Sequence, residues 1–268
     1  MFMNARNGSV RLGSTEMDYV TFGRGKTTLI MLPGLGDGLR TVKGMAPNMA
    51  LSYRKLGNRY RVYVFSRKNS LPADCSIGDM AADQAAAMEA LGIERAHILG
   101  VSMGGMIAQL LAIDHPEKVD KLILTVTAAK TGLETADILF RWMALMEQGK
   151  YGEMMVDTAE RSYSDAYLKK YRFMYPLLRR LGKPKDALRF MRQANACTNH
   201  DARKRLGEIK SPTLIIGGDR DKIVGSEAAR ELHEAIPGSE CVIYKGLGHA
   251  AYEEAKDFQQ LVLQFLEK

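Results

Sequence analysis

The sequence predicts an α/β fold: a mainly parallel sheet covered on both faces by helices and interrupted by one all-helical block. Three observations carry that prediction. Short apolar runs alternate with helix-period segments over residues 9–126 and again over residues 213–266. Between them, Thr131 to Gly207 holds helix patterns and no convincing strand. Finally, the apolar run Ala96 to Val101 ends in Gly100-Val101-Ser102-Met103-Gly104, a G-x-S-x-G turn that passes directly into a small-residue helix pattern.

The elements follow in order. Ser9–Leu12 and Glu16–Phe22 read as short strands, the second alternating in polarity. Thr28–Leu32 is a buried strand stopped by Pro33-Gly34. Ala46–Leu56 reads as a helix and Arg61–Phe65 as the next strand. Gly78–Leu91 is a helix with an alanine-rich face, closed by Gly92. The strand Ala96–Val101 enters the serine turn, and the helix Met103–Asp114 leaves it and ends before His115-Pro116. Val119–Val126 is a further strand. Four helices are expected in the block: Ile138–Met146, Tyr151–Tyr163, Ala166–Leu181, kinked or split by Pro176, and Asp186–Ala196. Alternation resumes with strand Thr213–Ile216, helix Glu227–Ala235, strand Cys241–Tyr244 and helix Ala255–Leu266. The expected division is therefore a core of residues 1–130 and 208–268, with residues 131–207 inserted as a helical cap, or lid, on the carboxyl edge of the sheet. That edge is where open α/β sheets bind ligands.

Composition excludes several function classes. The 268 residues are 46% hydrophobic and 26% charged, as in soluble globular chains. No apolar segment reaches the roughly 20 residues of a membrane span, and the first residues are not a secretory signal. Cys75, Cys197 and Cys241 are odd in number and far apart, so neither a disulfide framework nor a metal cluster is expected, and a cytoplasmic setting fits. The net charge is +7, and residues 130–207 carry all of it, with 16 Lys plus Arg against 9 Asp plus Glu. A solvated helical surface explains such an excess, and so does a field that attracts an anionic substrate. Nucleic acid is not expected, because no stacking-aromatic motif or recognition helix accompanies the charge.

A serine hydroxyl needs a base to take its proton, and the base needs an orienting carboxylate. Of the five histidines, His249 stands out, in the tight loop Gly246-Leu247-Gly248-His249-Ala250 after the last strand. That loop emerges on the same sheet edge as Ser102. His97, His115, His200 and His233 fall before the elbow, at a helix end, in the block and in a solvated mid-helix position. The acid is expected in Gly217-Gly218-Asp219-Arg220-Asp221, where Asp219 and Asp221 compete. The developing oxyanion needs two backbone donors. Met103, next to the serine, and Leu35, in the glycine loop Leu32-Pro33-Gly34-Leu35-Gly36-Asp37-Gly38, are the candidates. A dinucleotide reading of that loop fails, because Leu39 stands where the third glycine belongs and Ser66-Arg67 where an acidic residue belongs.

With LPGLGDG, GVSMGGMIAQ, DHPEKVDKLIL, GGDRDKIV and GLGHAAYEE in place, the chain resembles the α/β-hydrolase superfamily outside its helical insert. The resemblance implies an α/β-hydrolase fold with about eight strands, a helical cap and a Ser-Asp-His triad. In the family the acid stands four residues before a proline. Asp221 matches that position, with Gly225 in place of the proline, so Asp221 is preferred and Asp219 is kept as the alternative. Two departures stand out. Pro33-Gly34 replaces the family's His-Gly, and Ser66-Arg67-Lys68-Asn69-Ser70 replaces a glycine-rich loop. Arg67 and Lys68 are expected as exposed loop charges, with positive potential at the pocket as the second reading. Ser102 sets the chain apart from haloalkane dehalogenases and epoxide hydrolases, which place aspartate at the elbow.

The main expectation is a serine hydrolase that cleaves a small carboxylic ester or related acyl compound through an acyl-enzyme, without metal or cofactor. Trp142, Met143, Met146, Met154, Met155 and Met174 supply either a soft apolar pocket or packing within the block. The alternatives are a carbon–carbon bond hydrolase, enol-lactonase or lyase-like relative acting on an anionic substrate, and a ligand sensor that keeps the triad without turnover.

Overall fold

In a computed structural model, which describes residues 2–180, 184 and 187–268, the strands are β1 (Arg6–Leu12), β2 (Thr15–Phe22), β3 (Thr28–Leu32), β4 (Arg61–Lys68), β5 (Ala96–Val101), β6 (Val119–Thr125), β7 (Thr213–Gly218) and β8 (Glu240–Tyr244). They form one eight-stranded sheet in the order β1-β2-β4-β3-β5-β6-β7-β8. β1 pairs antiparallel with β2, and β2 antiparallel with β4. Every other pairing is parallel, with Leu29 opposite His97, Leu99 opposite Ile123 and Ile123 opposite Leu214. This is the α/β-hydrolase fold.

The alternation of side chains along the central strands divides the core in two. Ile30, Leu32, Ile98, Leu122 and Leu124 face helices α3 (Ile77–Ala90) and α4 (Met103–Asp114). Leu29, Met31, Leu99, Ile123 and Leu214 face the other layer, built from α1 (Ala46–Ser52), α2 (Arg54–Gly57) and α12 (Phe258–Leu266). α3 opens on a capping box in which Ser76 and Asp79 exchange hydrogen bonds, so its start is locally encoded.

Between β6 and β7 the chain forms α5 (Leu133–Glu147), α6 (Tyr151–Ser162), α7 (Asp165–Tyr171), α8 (Tyr175–Leu178) and α9 (Ala187–Thr198). α10 (Ala228–Ala235) and α11 (Ala251–Glu254) complete the set. The insert leaves and returns through one neck. Lys130 bridges Asp201, the Thr131 amide donates to His200 O, and the Ala202 amide donates to Ala129 O.

Several boundaries differ from the sequence reading, for identifiable reasons. The expected helix Ala46–Leu56 breaks at Tyr53 into α1 and α2. The expected helix from Ala166 gives way at Arg172–Met174 to a tighter turn, and Pro176 sits in the first turn of α8, where its missing N–H costs nothing. The outer ends of that helix and of the next, at Leu181 and Asp186, lie outside the described residues. The last expected helix, Ala255–Leu266, starts only at Phe258, as α12, and the short helix α11 before it was not expected. The largest correction concerns Ser66, Arg67 and Lys68. They are strand rather than exposed loop, because antiparallel pairing with β2 runs on to Met17 opposite Lys68. Arg67 is completely buried, and Lys68 pairs with Asp83 at 2.5 Å.

His200, at the neck, gives a pH prediction. It is buried, with Nε2 3.4 Å from Gln109 Oε1, and burial pushes its pKa down to about 4. Above the unfolded value of about 6.5 both states hold it neutral. Between there and 4 the unfolded chain gains a proton that the folded chain refuses, so stability falls as pH falls. The full loss is about 3 kcal/mol. Chemical denaturation at pH 7 and pH 4 is expected to show a drop smaller by about that amount in His200→Gln. An equal drop in both proteins would contradict it.

Candidate active site

β5 runs apolar to Val101 and then turns sharply into α4. Ser102 sits on the turn with φ 54° and ψ −120°, a conformation that a non-glycine residue holds only under constraint. The neighbouring glycines make it possible. A Cβ at Gly100 would overlap the Gly104 backbone, one at Gly104 would overlap the Leu32 carbonyl, and one at Gly105 would press on Thr127. The strand, the helix and the loop after β3 therefore approach closely, and the hydroxyl stands clear of them.

The loop after β8 carries His249 to this point. His249 Nε2 lies 2.8 Å from Ser102 Oγ, and its Nδ1 lies 2.8 Å from Asp221 Oδ2. Asp221 is nearly fully buried, and its Oδ1 accepts from the amides of Ile223 at 2.8 Å and Val224 at 3.0 Å. One carboxylate oxygen is thus used to hold the loop, which leaves the other for the imidazole. Asp219 does not reach His249. Its Oδ1 accepts from the Gly246 amide at 2.6 Å and ties the two loops together. The carbonyl of Ser162, at the end of α6, accepts from the Ala250 amide at 2.9 Å, so the insert is docked against the histidine loop.

Leu35 and Met103 line the same cavity as Ser102 and His249. Among the described residues, neither backbone amide meets an acceptor. Both are therefore available to an oxygen beside Ser102.

Behind the Leu35 loop lies a buried charge cluster that sequence reasoning missed. Asp37 is buried, and the Arg67 amide donates to its Oδ2 at 3.0 Å. Arg189, on α9, donates to Asp37 Oδ2 at 2.5 Å and also to the Asp37 carbonyl. Arg67 Nη2 donates to the carbonyls of Pro33 and Gly34, the latter at 3.2 Å. Burial pushes the Arg67 guanidinium below its ordinary pKa, and the charge of Asp37 works against that shift. The one signal for this in the sequence is an acidic residue among glycines after an apolar strand.

The cavity encloses about 510 Å³ between the sheet edge and the insert, within the usual range for small-molecule sites. Its walls are mostly apolar. Leu139, Trp142, Met154, Met155 and Phe190 come from the insert, and Leu39, Met45, Met49 and Ile223 from the core. Of the other sulfur residues singled out, Met146 is packed in the core, and Met174 lies outside the cavity, 38% exposed. None of the insert's described lysines or arginines lines the cavity, whereas Arg40, beyond the Leu35 loop, does. Among the described residues the Arg40 side chain has no hydrogen bond or ion pair. His97 is buried near Asp120, at 3.2 Å, and His233 bonds Ser239 at 2.9 Å, so neither joins the site. Among the described residues, no three His, Cys, Asp or Glu are placed to hold a metal ion, and no helix is long and apolar enough to cross a membrane.

Comparisons with known proteins agree on the class. The family model described as alpha/beta hydrolase fold matches residues 27–256. A 2-hydroxy-6-oxononadienedioate/2-hydroxy-6-oxononatrienedioate hydrolase of Klebsiella pneumoniae is 31% identical, over 91% of this chain and 88% of that protein. A hydrolase of the same name from Pseudomonas putida is 29% identical, over 99% and 96%. Among solved structures, an enol-lactonase from Burkholderia xenovorans superposes with a TM-score of 0.81 at 22% identity, over 97% of this chain and all of that one.

Proposed function

Because the chain belongs to the α/β-hydrolase fold family, we propose that it is a serine-nucleophile hydrolase that cleaves the bond between a carbonyl carbon and an adjacent carbon in a small, carboxylate-bearing substrate. The observation that carries the nucleophile is the unbroken chain of contacts from Ser102 Oγ through His249 to Asp221, each 2.8 Å, opening on an apolar cavity.

The chemistry follows from those contacts. Ser102 Oγ attacks the carbonyl carbon as His249 Nε2 takes its proton. The carbonyl oxygen becomes an oxyanion facing the Leu35 and Met103 amides. As the tetrahedral centre collapses, its bond to the leaving carbon breaks, and the imidazolium returns the proton to that carbon. His249 then deprotonates a water molecule that hydrolyses the acyl-enzyme and frees Ser102. Asp221 holds the imidazole with Nδ1 protonated and steadies its positive charge. Residues 131–207 act as the cap, which supplies the apolar wall and keeps bulk water off the acyl-enzyme.

Two observations favour this leaving group and a carboxylate-bearing substrate. The relatives reported above are named for hydrolysis of dienedioates, molecules with two carboxylates. Arg40, exposed at the cavity wall, is a cation without a partner among the described residues, whereas the carboxylate of Glu253 on the same wall already accepts from the Tyr163 hydroxyl at 2.5 Å. The same machinery serves an ester with an oxygen leaving group, and the apolar walls suit a short acyl chain, so ester hydrolysis is the second reading.

Purified protein offered a 2-hydroxy-6-oxo-dienedioate and a neutral p-nitrophenyl ester separates the two. The proposal predicts loss of the dienedioate chromophore with a kcat/KM well above that for the ester. Arg40→Met is expected to raise KM for the dienedioate about tenfold, the value of one charge-assisted hydrogen bond, and to leave KM for the ester unchanged. Ester turnover with no dienedioate turnover favours the second reading. Ligand-induced thermal stabilisation without turnover of either would mark a sensor.

A further inference from the structure

The buried cluster behind the Leu35 loop is poorly explained by stability alone. Arg67 is fully buried near the end of strand β4. Its Nε and Nη1 have no hydrogen-bond partner among the described residues. Burying a cation with donors unmet costs stability, and a neutral side chain of similar volume would avoid that cost. Nor does Asp37 need the Arg67 side chain. Its Oδ2 is already held by Arg189 Nη2 at 2.5 Å and the Arg67 backbone amide at 3.0 Å, whereas Arg67 Nε stands at 3.8 Å. The firm side-chain bonds of Arg67 run instead to the carbonyls of Pro33 and Gly34.

The Gly34 carbonyl belongs to the same peptide unit as the Leu35 N–H. That unit is planar and trans, so the two groups point in opposite directions. The oxygen accepts from Arg67 Nη2 at 3.2 Å and from the Asp37 amide at 3.1 Å, so the arginine and the loop's own turn together set the direction of the N–H in front. The loop lies directly against the nucleophile, since a Cβ added at Gly34 would stand 3.2 Å from the Ser102 Cβ. A cation on the oxygen also draws electron density through the amide and makes the N–H a stronger donor, an effect that grows at low dielectric.

We propose that Arg67 is a positioning residue of the oxyanion site, which orients and polarises the Gly34–Leu35 peptide so that the Leu35 N–H meets the negative charge formed when Ser102 attacks. This rests on the reading of Ser102 as nucleophile and the Leu35 amide as an oxyanion donor. Arg189 extends the device, because it fastens Asp37, Arg67 O and Lys68 O to α9. The insert that walls the substrate thereby also braces the loop that stabilises its transition state.

The test uses the full-length protein, a p-nitrophenyl butyrate assay, and butylboronic acid as a tetrahedral mimic of the oxyanion intermediate. Losing one oxyanion donor outright costs about 100- to 1,000-fold in kcat. Losing its orientation and polarisation in Arg67→Met is expected to cost about 10- to 100-fold in kcat, with KM within about twofold. The affinity for the boronic acid should fall by a similar factor, and that for butyrate, a ground-state analogue, should not change. A purely structural role would not separate the two analogues. Should Arg67→Met fail to fold, Arg67→Lys carries the same comparison, because an ammonium group keeps the charge but not the reach and planar geometry of the Nη2 group that donates to both carbonyls. An intermediate loss is expected there. Unchanged kcat and boronate affinity in the folded variants, or a rise in KM alone, overturns the role of Arg67 and leaves the hydrolase reading standing. Wild-type protein with neither turnover nor a boronate adduct overturns both.

Discussion

Ser102→Ala is expected to lower kcat by about a million-fold on any substrate the protein turns over, and to leave the fold intact. The size follows from the way such residues act as a unit: without the nucleophile, the base and the acid have nothing to activate, and only binding and oxyanion stabilisation remain. The fold should survive for local reasons. Among the described residues the Ser102 hydroxyl has one side-chain partner, His249 Nε2 at 2.8 Å. The unusual backbone at Ser102 is imposed by close packing at Gly100, Gly104 and Gly105 rather than by the hydroxyl. Alanine inherits the same strain and adds no atom. Steady-state kinetics with circular dichroism and a thermal melt of the same preparation checks this. Residual activity above about one per cent in a folded, uncontaminated variant would move the nucleophile elsewhere.

Asp221→Asn is expected to cost about 10,000-fold in kcat, the scale seen when the acid of such a triad becomes an amide. The geometry gives the reason. Asp221 Oδ1 accepts from two backbone amides, those of Ile223 and Val224. An asparagine must turn its carbonyl oxygen toward those donors, so its NH₂ faces His249 Nδ1. The imidazole then accepts at Nδ1 and carries its proton on Nε2, which leaves nothing to take the proton of Ser102. Asp219→Asn is the control. That residue holds the Gly246 amide and not the histidine, so a loss of less than about tenfold is expected. Equal losses in the two variants would show that the pair merely shapes the loops. Denaturant midpoints of both variants separate that outcome from unfolding.

The parts of the site that were legible in the sequence share one property: their geometry is set over a few residues. The turn at Ser102 announces itself because only glycine fits at Gly100 and Gly104, where a Cβ would strike backbone. The loops after β7 and β8 are short and leave a parallel sheet on one edge, so Asp221 and His249 arrive near Ser102 by topology alone. The residues alone do not separate Asp219 from Asp221, because the choice depends on which carboxylate the Ile223 and Val224 amides turn inward.

What escaped the sequence is non-local. Arg67 follows an apolar run and precedes Lys68-Asn69-Ser70, a pattern that reads as strand end and exposed loop. Its burial comes from the extension of β4 against β2 and from α9, whose Arg189 lies more than a hundred residues further along the chain. Asp37 reads as a turn residue for the same reason. The insert's charge was visible but its direction was not. Among the described residues the basic side chains of the insert lie away from the cavity wall, and a cation that does line it, Arg40, belongs to the core.

The measurement that bears most directly on the central claim is intact-protein mass spectrometry after treatment with a fluorophosphonate, followed by peptide mapping. Attack by an activated serine predicts one adduct, on Ser102, formed quickly in the wild type, much more slowly in Asp221→Asn and not at all in Ser102→Ala. A folded wild-type protein that takes no label, or takes it at another residue, would contradict the account.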